Sequence, residues 1–179
     1  MKLAKPLLAI LLAVLTGPLV AAEAPEMKIE HSIVINARPE VVWDVVSDFN
    51  GLPRWLSTIV ESRIILGKNR EVGAIRELRR ANGTKVEEKL IAYDPWNMSL
   101  GYTYVGGQVG ATDYFPTMTV SDAGDGKSKV VWKARFKRVA YWTDNPPAGQ
   151  DDATPLTALN KVYPMGLANL KKLIEDGQR

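Results

Sequence analysis

Between residues 58 and 137 the chain alternates apolar and polar residues in six successive runs, and turn-forming residues end each one. The runs are 58–66, 72–80, 84–93, 98–105, 112–121 and 128–137, broken at Gly67-Lys68-Asn69, Asn82-Gly83, Asp94-Pro95-Trp96-Asn97, Gly106-Gly107 and Asp122 to Lys127. Breaks this short hold hairpin turns and no crossover helix, so the six strands form an antiparallel meander. Alternate side chains point to opposite faces, and an apolar face has to be covered by something.

The flanking segments supply the cover. Residues 27–36 alternate like a seventh strand. Pro39 suits a first helical position and Glu40 a helix N-terminus; Val41, Val42, Val45, Val46 and Phe49 follow at helical spacing, predicting a short helix over 39–48. Leu52 to Trp55 gives at most one more turn. Beyond a loop-like stretch from Val139 to Ala153, Thr154-Pro155 offers a cap and a first-turn proline. Leu156, Leu159, Val162, Tyr163, Leu167, Leu170 and Ile174 then recur at three- and four-residue steps. That spacing predicts a long amphipathic helix ending near Gly177, kinked at Pro164 and Gly166. The order predicts an α+β fold, a curved seven-stranded antiparallel sheet wrapped around a long C-terminal helix, with two short helices after the first strand.

The hairpin at 74–93 decides which charges turn inward. A two-residue turn at Asn82-Gly83 would put Glu77 and Arg79 on the face of Val86 and Leu90. A three-residue loop, Ala81-Asn82-Gly83 with Gly83 left-handed, instead gathers Ala74, Arg76, Leu78, Val86, Glu88, Leu90 and Ala92. The opposite face then holds Ile75, Glu77, Arg79, Lys85, Glu87, Lys89, Ile91 and Tyr93. The second register separates apolar from charged far better, so it is the expected one. It sets Arg76 directly opposite Glu88 on the inner face. A buried charge needs a partner, so the two either form a structural ion pair or anchor a polar ligand group in an apolar cavity; both readings stay open. By the same parity Leu100, Tyr102 and Tyr104, then Tyr114, Met118 and Val120, then Val130, Trp132, Ala134 and Phe136 face inward, with Leu167 reaching in from the helix.

Lys2 and Lys5, the apolar run Leu7 to Leu15, Gly17-Pro18 and the small residues Val20-Ala21-Ala22 have the layout of a cleavable leader, residues 1–22, which leaves one domain over 23–179. The run is short of the roughly 20 residues of a membrane-spanning helix. The chain has 23 Lys+Arg against 20 Asp+Glu; without Lys2 and Lys5 the balance is 21 to 20, and no basic face points to nucleic acid. With no cysteine and a single histidine, thiol chemistry and multi-histidine metal sites are ruled out. His31 shares a face with Ile29, Ile33 and Ile35 and is expected to be packed and neutral. Asp122-Ala123-Gly124-Asp125-Gly126 resembles a fragment of a calcium loop but lacks the downstream glutamate, so a hairpin turn is expected and no metal. Tyr141-Trp142, in the loop before the last helix, is a candidate partner surface, with folding back onto the sheet as the equal alternative.

Ala37-Arg38-Pro39-Glu40-Val41-Val42-Trp43, Ser47-Asp48-Phe49 and Leu52-Pro53-Arg54-Trp55 resemble the opening signature of the SRPBCC superfamily, which includes START-like and polyketide cyclase/dehydrase-like proteins. Val72-Gly73-Ala74-Ile75-Arg76, Glu88-Lys89-Leu90, Tyr93-Asp94 and Gly166-Leu167 match further blocks, and the ordered set spans 29–175. The resemblance implies a helix-grip fold around a hydrophobic cavity. Its pocket residues would be Arg76, Leu78, Glu88, Leu90, Tyr102, Tyr104, Tyr114, Met118, Trp132, Phe136 and Leu167. The leader, the segment Asp144-Asn145-Pro146-Pro147-Ala148-Gly149-Gln150-Asp151-Asp152 and the helix from Val162-Tyr163 to Leu170-Lys171 are most similar to the MxaD-type periplasmic accessory proteins. That likeness implies a role beside methanol dehydrogenase and its c-type cytochrome acceptor.

The expected function is therefore an exported accessory or binding protein with a hydrophobic cavity, either filled by a small hydrophobic ligand or empty, with no cofactor and no catalytic residues. Two alternatives stand beside it. One is a cyclase or dehydratase in which Arg76, Glu88 and Tyr102 orient an enolate and move a proton; the other is a periplasmic lipid or isoprenoid carrier.

Overall fold

A computed structural model of the protein describes residues 24–177; the expected leader lies outside them. The chain forms β1 (Met27–Ile35), α1 (Pro39–Val46), a 3-10 turn (Leu52–Arg54), β2 (Ile59–Leu66), β3 (Ile75–Arg80), β4 (Lys85–Asp94), β5 (Ser99–Gly107), β6 (Thr112–Gly124), β7 (Lys127–Lys137) and α2 (Ala153–Asp176). The sheet order is β1-β7-β6-β5-β4-β3-β2, with every neighbouring pair antiparallel. The meander predicted between 58 and 137 is thus the body of the sheet, and the first strand returns to pair with the last. This is the predicted helix-grip α+β architecture.

The hairpin register follows the three-residue loop. Gly83 has φ +83°, Arg80 N donates to Thr84 O at 2.8 Å, and Arg76 lies opposite Glu88 and Leu78 opposite Val86. A left-handed residue at this point suits glycine because any other side chain would crowd the backbone. Parity holds along β4 only as far as Leu90. A bulge between Leu90 and Ala92 then exposes Ala92, expected inside, and turns Tyr93, expected outside, to stack on Trp43 at 5.7 Å. Further register shifts in the β2–β3, β4–β5 and β6–β7 pairs add the local bending that curls the sheet.

α2 buries Pro155, Tyr163, Gly166, Leu167, Leu170 and Ile174, and it runs unbroken through the exposed Pro164. A Cβ on Gly166 would come 2.8 Å from Leu56 Cδ1 and 3.1 Å from Trp132 Cζ3, so the glycine lets the helix approach the sheet this closely. Polar ties seat α2 against β1: His31 Nε2 lies 2.8 Å from Asn160 Oδ1, and Lys171 Nζ donates to Val34 O at 2.8 Å. Leu90, Val130, Phe136 and Leu170 are fully buried beneath the helix and sheet, each such side chain contributing about 1.5–3 kcal/mol. Among the described residues no helix is long and apolar enough to cross a membrane.

Candidate functional site

The paired register between β5 and β6 covers only Ser99–Gly101 against Thr117–Thr119, although both strands run on well past it. Beside this opening, between the sheet and the first turns of α2, lies a cavity of about 490 Å³. Leu78 and Arg80 of β3, Val86 and Glu88 of β4, Tyr102 and Tyr104 of β5, Tyr114 of β6 and Trp132 of β7 form its sheet wall. Leu52, Leu56 and Ile59 close one side, and Leu159, Val162 and Tyr163 of α2 form the cover. The loops at Ala81-Asn82 and Gln108 to Ala111 edge the cavity.

Of the predicted pocket residues, Leu78, Glu88, Tyr102, Tyr104, Tyr114 and Trp132 line this space. Arg76, Leu90, Met118, Phe136 and Leu167 are buried in the surrounding core and do not line it. The wall residues absent from that predicted set include Arg80, Tyr163 and Leu56. Arg80 has the parity of Arg76 and Leu78 but sits at the turn, where it reads as a solvated strand end. Tyr163 was visible only as one apolar step of the helix. Leu56 belongs to a turn whose inner side no periodicity marks.

Arg76 is sealed at 3% exposure, and each of its three guanidinium nitrogens has a protein partner. Nε and Nη2 both donate to Glu88 Oε2, at 2.9 and 2.6 Å, and Nη1 donates to Phe49 O. The guanidinium also lies 4.0 Å from the Phe49 ring centre and 5.2 Å from that of Tyr102. Because both donors converge on one carboxylate oxygen, Glu88 Oε1 receives no hydrogen bond among the described residues, while Glu88 itself lines the cavity. Arg76 is therefore a positioning residue: it fixes and neutralises Glu88 without reaching the cavity.

The aromatic wall is tightly organised. Tyr104 stacks on Tyr114 at 4.4 Å, Trp132 on Tyr163 at 3.8 Å, and the Tyr114 and Tyr163 hydroxyls are 2.7 Å apart. Burial pushes the phenols of Tyr102 and Tyr104 well above the ordinary tyrosine value, and the negative charge of Glu88 adds to it. Tyr114 and Tyr163 are raised by burial first and by neighbouring phenols next. All four are neutral hydrogen-bonding groups at physiological pH. The Trp132 indole nitrogen is buried with no hydrogen-bond partner among the described residues. An apolar space with a few fixed polar atoms suits one small, mostly apolar molecule in one orientation.

His31 is half-buried, bonded to Asn160 and edge-on to Tyr163, as expected for a packed strand histidine. Tyr141 and Trp142 lie outside the cavity, 48% and 60% exposed, with rings edge-to-face at 5.4 Å. Their loop is pinned by the buried Arg138, which donates to Ala140 O, Thr143 O and both oxygens of Asp152. Among the described residues no cluster of three or more histidines or carboxylates could hold a metal. Asp125-Gly126 is a two-residue hairpin turn between β6 and β7.

A family model described as polyketide cyclase / dehydrase and lipid transport matches residues 26–175. The abscisic acid receptor PYL6 of Arabidopsis thaliana is 24% identical over 145 residues, covering 79% of this chain and 66% of the receptor, just under two thirds of its length. Among solved structures, the protein XoxI from Bacillus cereus superposes with a TM-score of 0.70 at 24% identity, covering 85% of this chain and 98% of that one. The Zhui aromatase/cyclase from Streptomyces sp. R1128 gives a TM-score of 0.72 at 13% identity, with coverages of 87% and 97%. At these identities the structural likeness is one of fold.

Proposed function

We propose that this chain, which belongs to the polyketide cyclase / dehydrase and lipid transport family within the SRPBCC superfamily, is an exported, non-catalytic protein that binds one small hydrophobic ligand. In this reading it acts as an accessory to methanol dehydrogenase and its c-type cytochrome acceptor. The cavity carries the ligand-binding part: about 490 Å³ walled by aliphatic and aromatic side chains, with the Glu88 carboxylate held in place by Arg76. Family membership supports the same conclusion. The accessory part rests on the likeness of the leader, the 144–152 segment and the last helix to MxaD-type proteins. The exposed Tyr141–Trp142 pair, held by Arg138, supports it as a rigid aromatic contact for a partner.

Calorimetric titration with a neutral two-ring aromatic tests the first part. The expected result is one site per chain in the wild type and none in Val86→Phe, whose added ring fills the space, with the fold intact by circular dichroism. Equal binding by both proteins would place the ligand elsewhere. For the second part, the electron-transfer rate from methanol dehydrogenase to its cytochrome should rise when the protein is added and lose that rise with Trp142→Ala. A rate indifferent to the protein removes the accessory role. A catalytic alternative has one observation in its favour, the free Glu88 Oε1 facing the cavity as a candidate base. Glu88→Gln would abolish turnover by such an enzyme, whereas a carrier has no turnover to lose.

A further inference from the structure

Three arginines of the described chain are withdrawn from the surface, and two have carboxylate partners: Arg76 pairs with Glu88 and Arg138 with Asp152. Arg80, the third, has none among the described residues. Its Nη1 donates to Thr84 Oγ1 at 3.2 Å and to Gln108 O at 2.9 Å, both neutral acceptors. It lines the cavity where the loop after β3 meets the loop after β5. Among the wall residues the only other arginine, lysine or acidic side chain is Glu88, and Arg76 behind it already balances that charge. The cavity thus carries one uncompensated positive charge, at its edge. A half-buried cation without a counterion has lost part of its hydration and is screened less by salt than a surface one, so an anion placed there is selectively favoured.

Resting on the hydrophobic-ligand reading, we infer that the ligand is a compact hydrophobic carboxylic acid, bound as its monoanion with the carboxylate on Arg80 and the apolar body in the cavity. The orientation follows from the other polar atoms. Glu88 presents only acceptor oxygens to its end of the wall, which gives an anionic head nothing to bind there, so the head stays with Arg80. Arg80 also joins the two edge loops through Gln108 O, so the head group binds at their junction.

The test is calorimetric titration of the full chain with 2-naphthoic acid and with its neutral methyl ester, in wild type, Arg80→Gln and Arg80→Lys. A charge-assisted contact is expected to make the acid bind about tenfold or more tighter than the ester in wild type. Arg80→Gln should bring the acid-to-ester affinity ratio to about one while still binding the ester measurably, which also shows that the variant's cavity is folded. Arg80→Lys should keep part of it. If acid and ester bind wild type alike, or the preference survives in Arg80→Gln, the anion site is overturned and the hydrophobic-ligand reading stands. If neither compound binds wild type, both fall.

Discussion

Arg76 and Glu88 are bound to each other so closely that neither can be understood as a lone charge. With Arg76 truncated, Glu88 would be left in an apolar interior with no counterion, which typically costs about 3–5 kcal/mol. Arg76→Ala is therefore expected to lose roughly that amount in urea unfolding, on the scale of such losses. The double replacement Arg76→Met with Glu88→Leu should lose much less, because it removes both charges and keeps the volume. A double-variant loss equal to the sum of the Arg76→Met and Glu88→Leu single losses would mean that the pair is not energetically coupled. The same geometry leaves Glu88 Oε1 and Arg80 as the charged groups of the wall that remain available to a ligand.

At the scale of elements, the loop after β3 sets the register of half the sheet. Gly83→Ala has open space around the new Cβ, so its cost is purely that of a left-handed backbone, about 1 kcal/mol. Thermal unfolding should show that loss, and no loss would mean the loop readily adopts another shape. This loop also explains why so much of the fold was legible. Ala81-Asn82-Gly83 has two possible lengths, only one of which sorts charged from apolar side chains, and Arg76 opposite Glu88 follows from it. Legibility ended at Leu90, where one extra residue in the ladder reverses which side chain faces in, and nothing in Ile91-Ala92-Tyr93 announces a bulge. It ended again at the cavity. Parity says that Leu90, Met118 and Phe136 point inward as surely as Tyr104 does, but it cannot say where the inward side chains stop touching one another. That depends on how far β5 and β6 splay and how closely Gly166 admits α2, both properties of the assembled layers.

For the whole molecule, four phenols, those of the buried Tyr102, Tyr114 and Tyr163 and of the half-buried Tyr104, link stability to pH. The unfolded chain releases their protons near the ordinary tyrosine value of 10.0, whereas the folded chain retains them to higher pH. Their contribution is fully present below about pH 10 and drains away as pH climbs from there toward the folded values. The urea midpoint should fall steeply above that point, and the ultraviolet signal of tyrosinate from these four should appear together with loss of circular dichroism. Complete phenol ionisation in a natively folded protein would overturn the buried network. The way the sheet closes has a kinetic side as well. β1 has its ladder partner in β7, and His31 meets Asn160, 129 positions further on. Pairing so remote in the chain makes loop closure slow, since the entropy of bringing distant segments together is lost before contacts return it. β1 therefore has no ladder partner until β7 has been made, and the polypeptide stays threadable over the whole stretch between them.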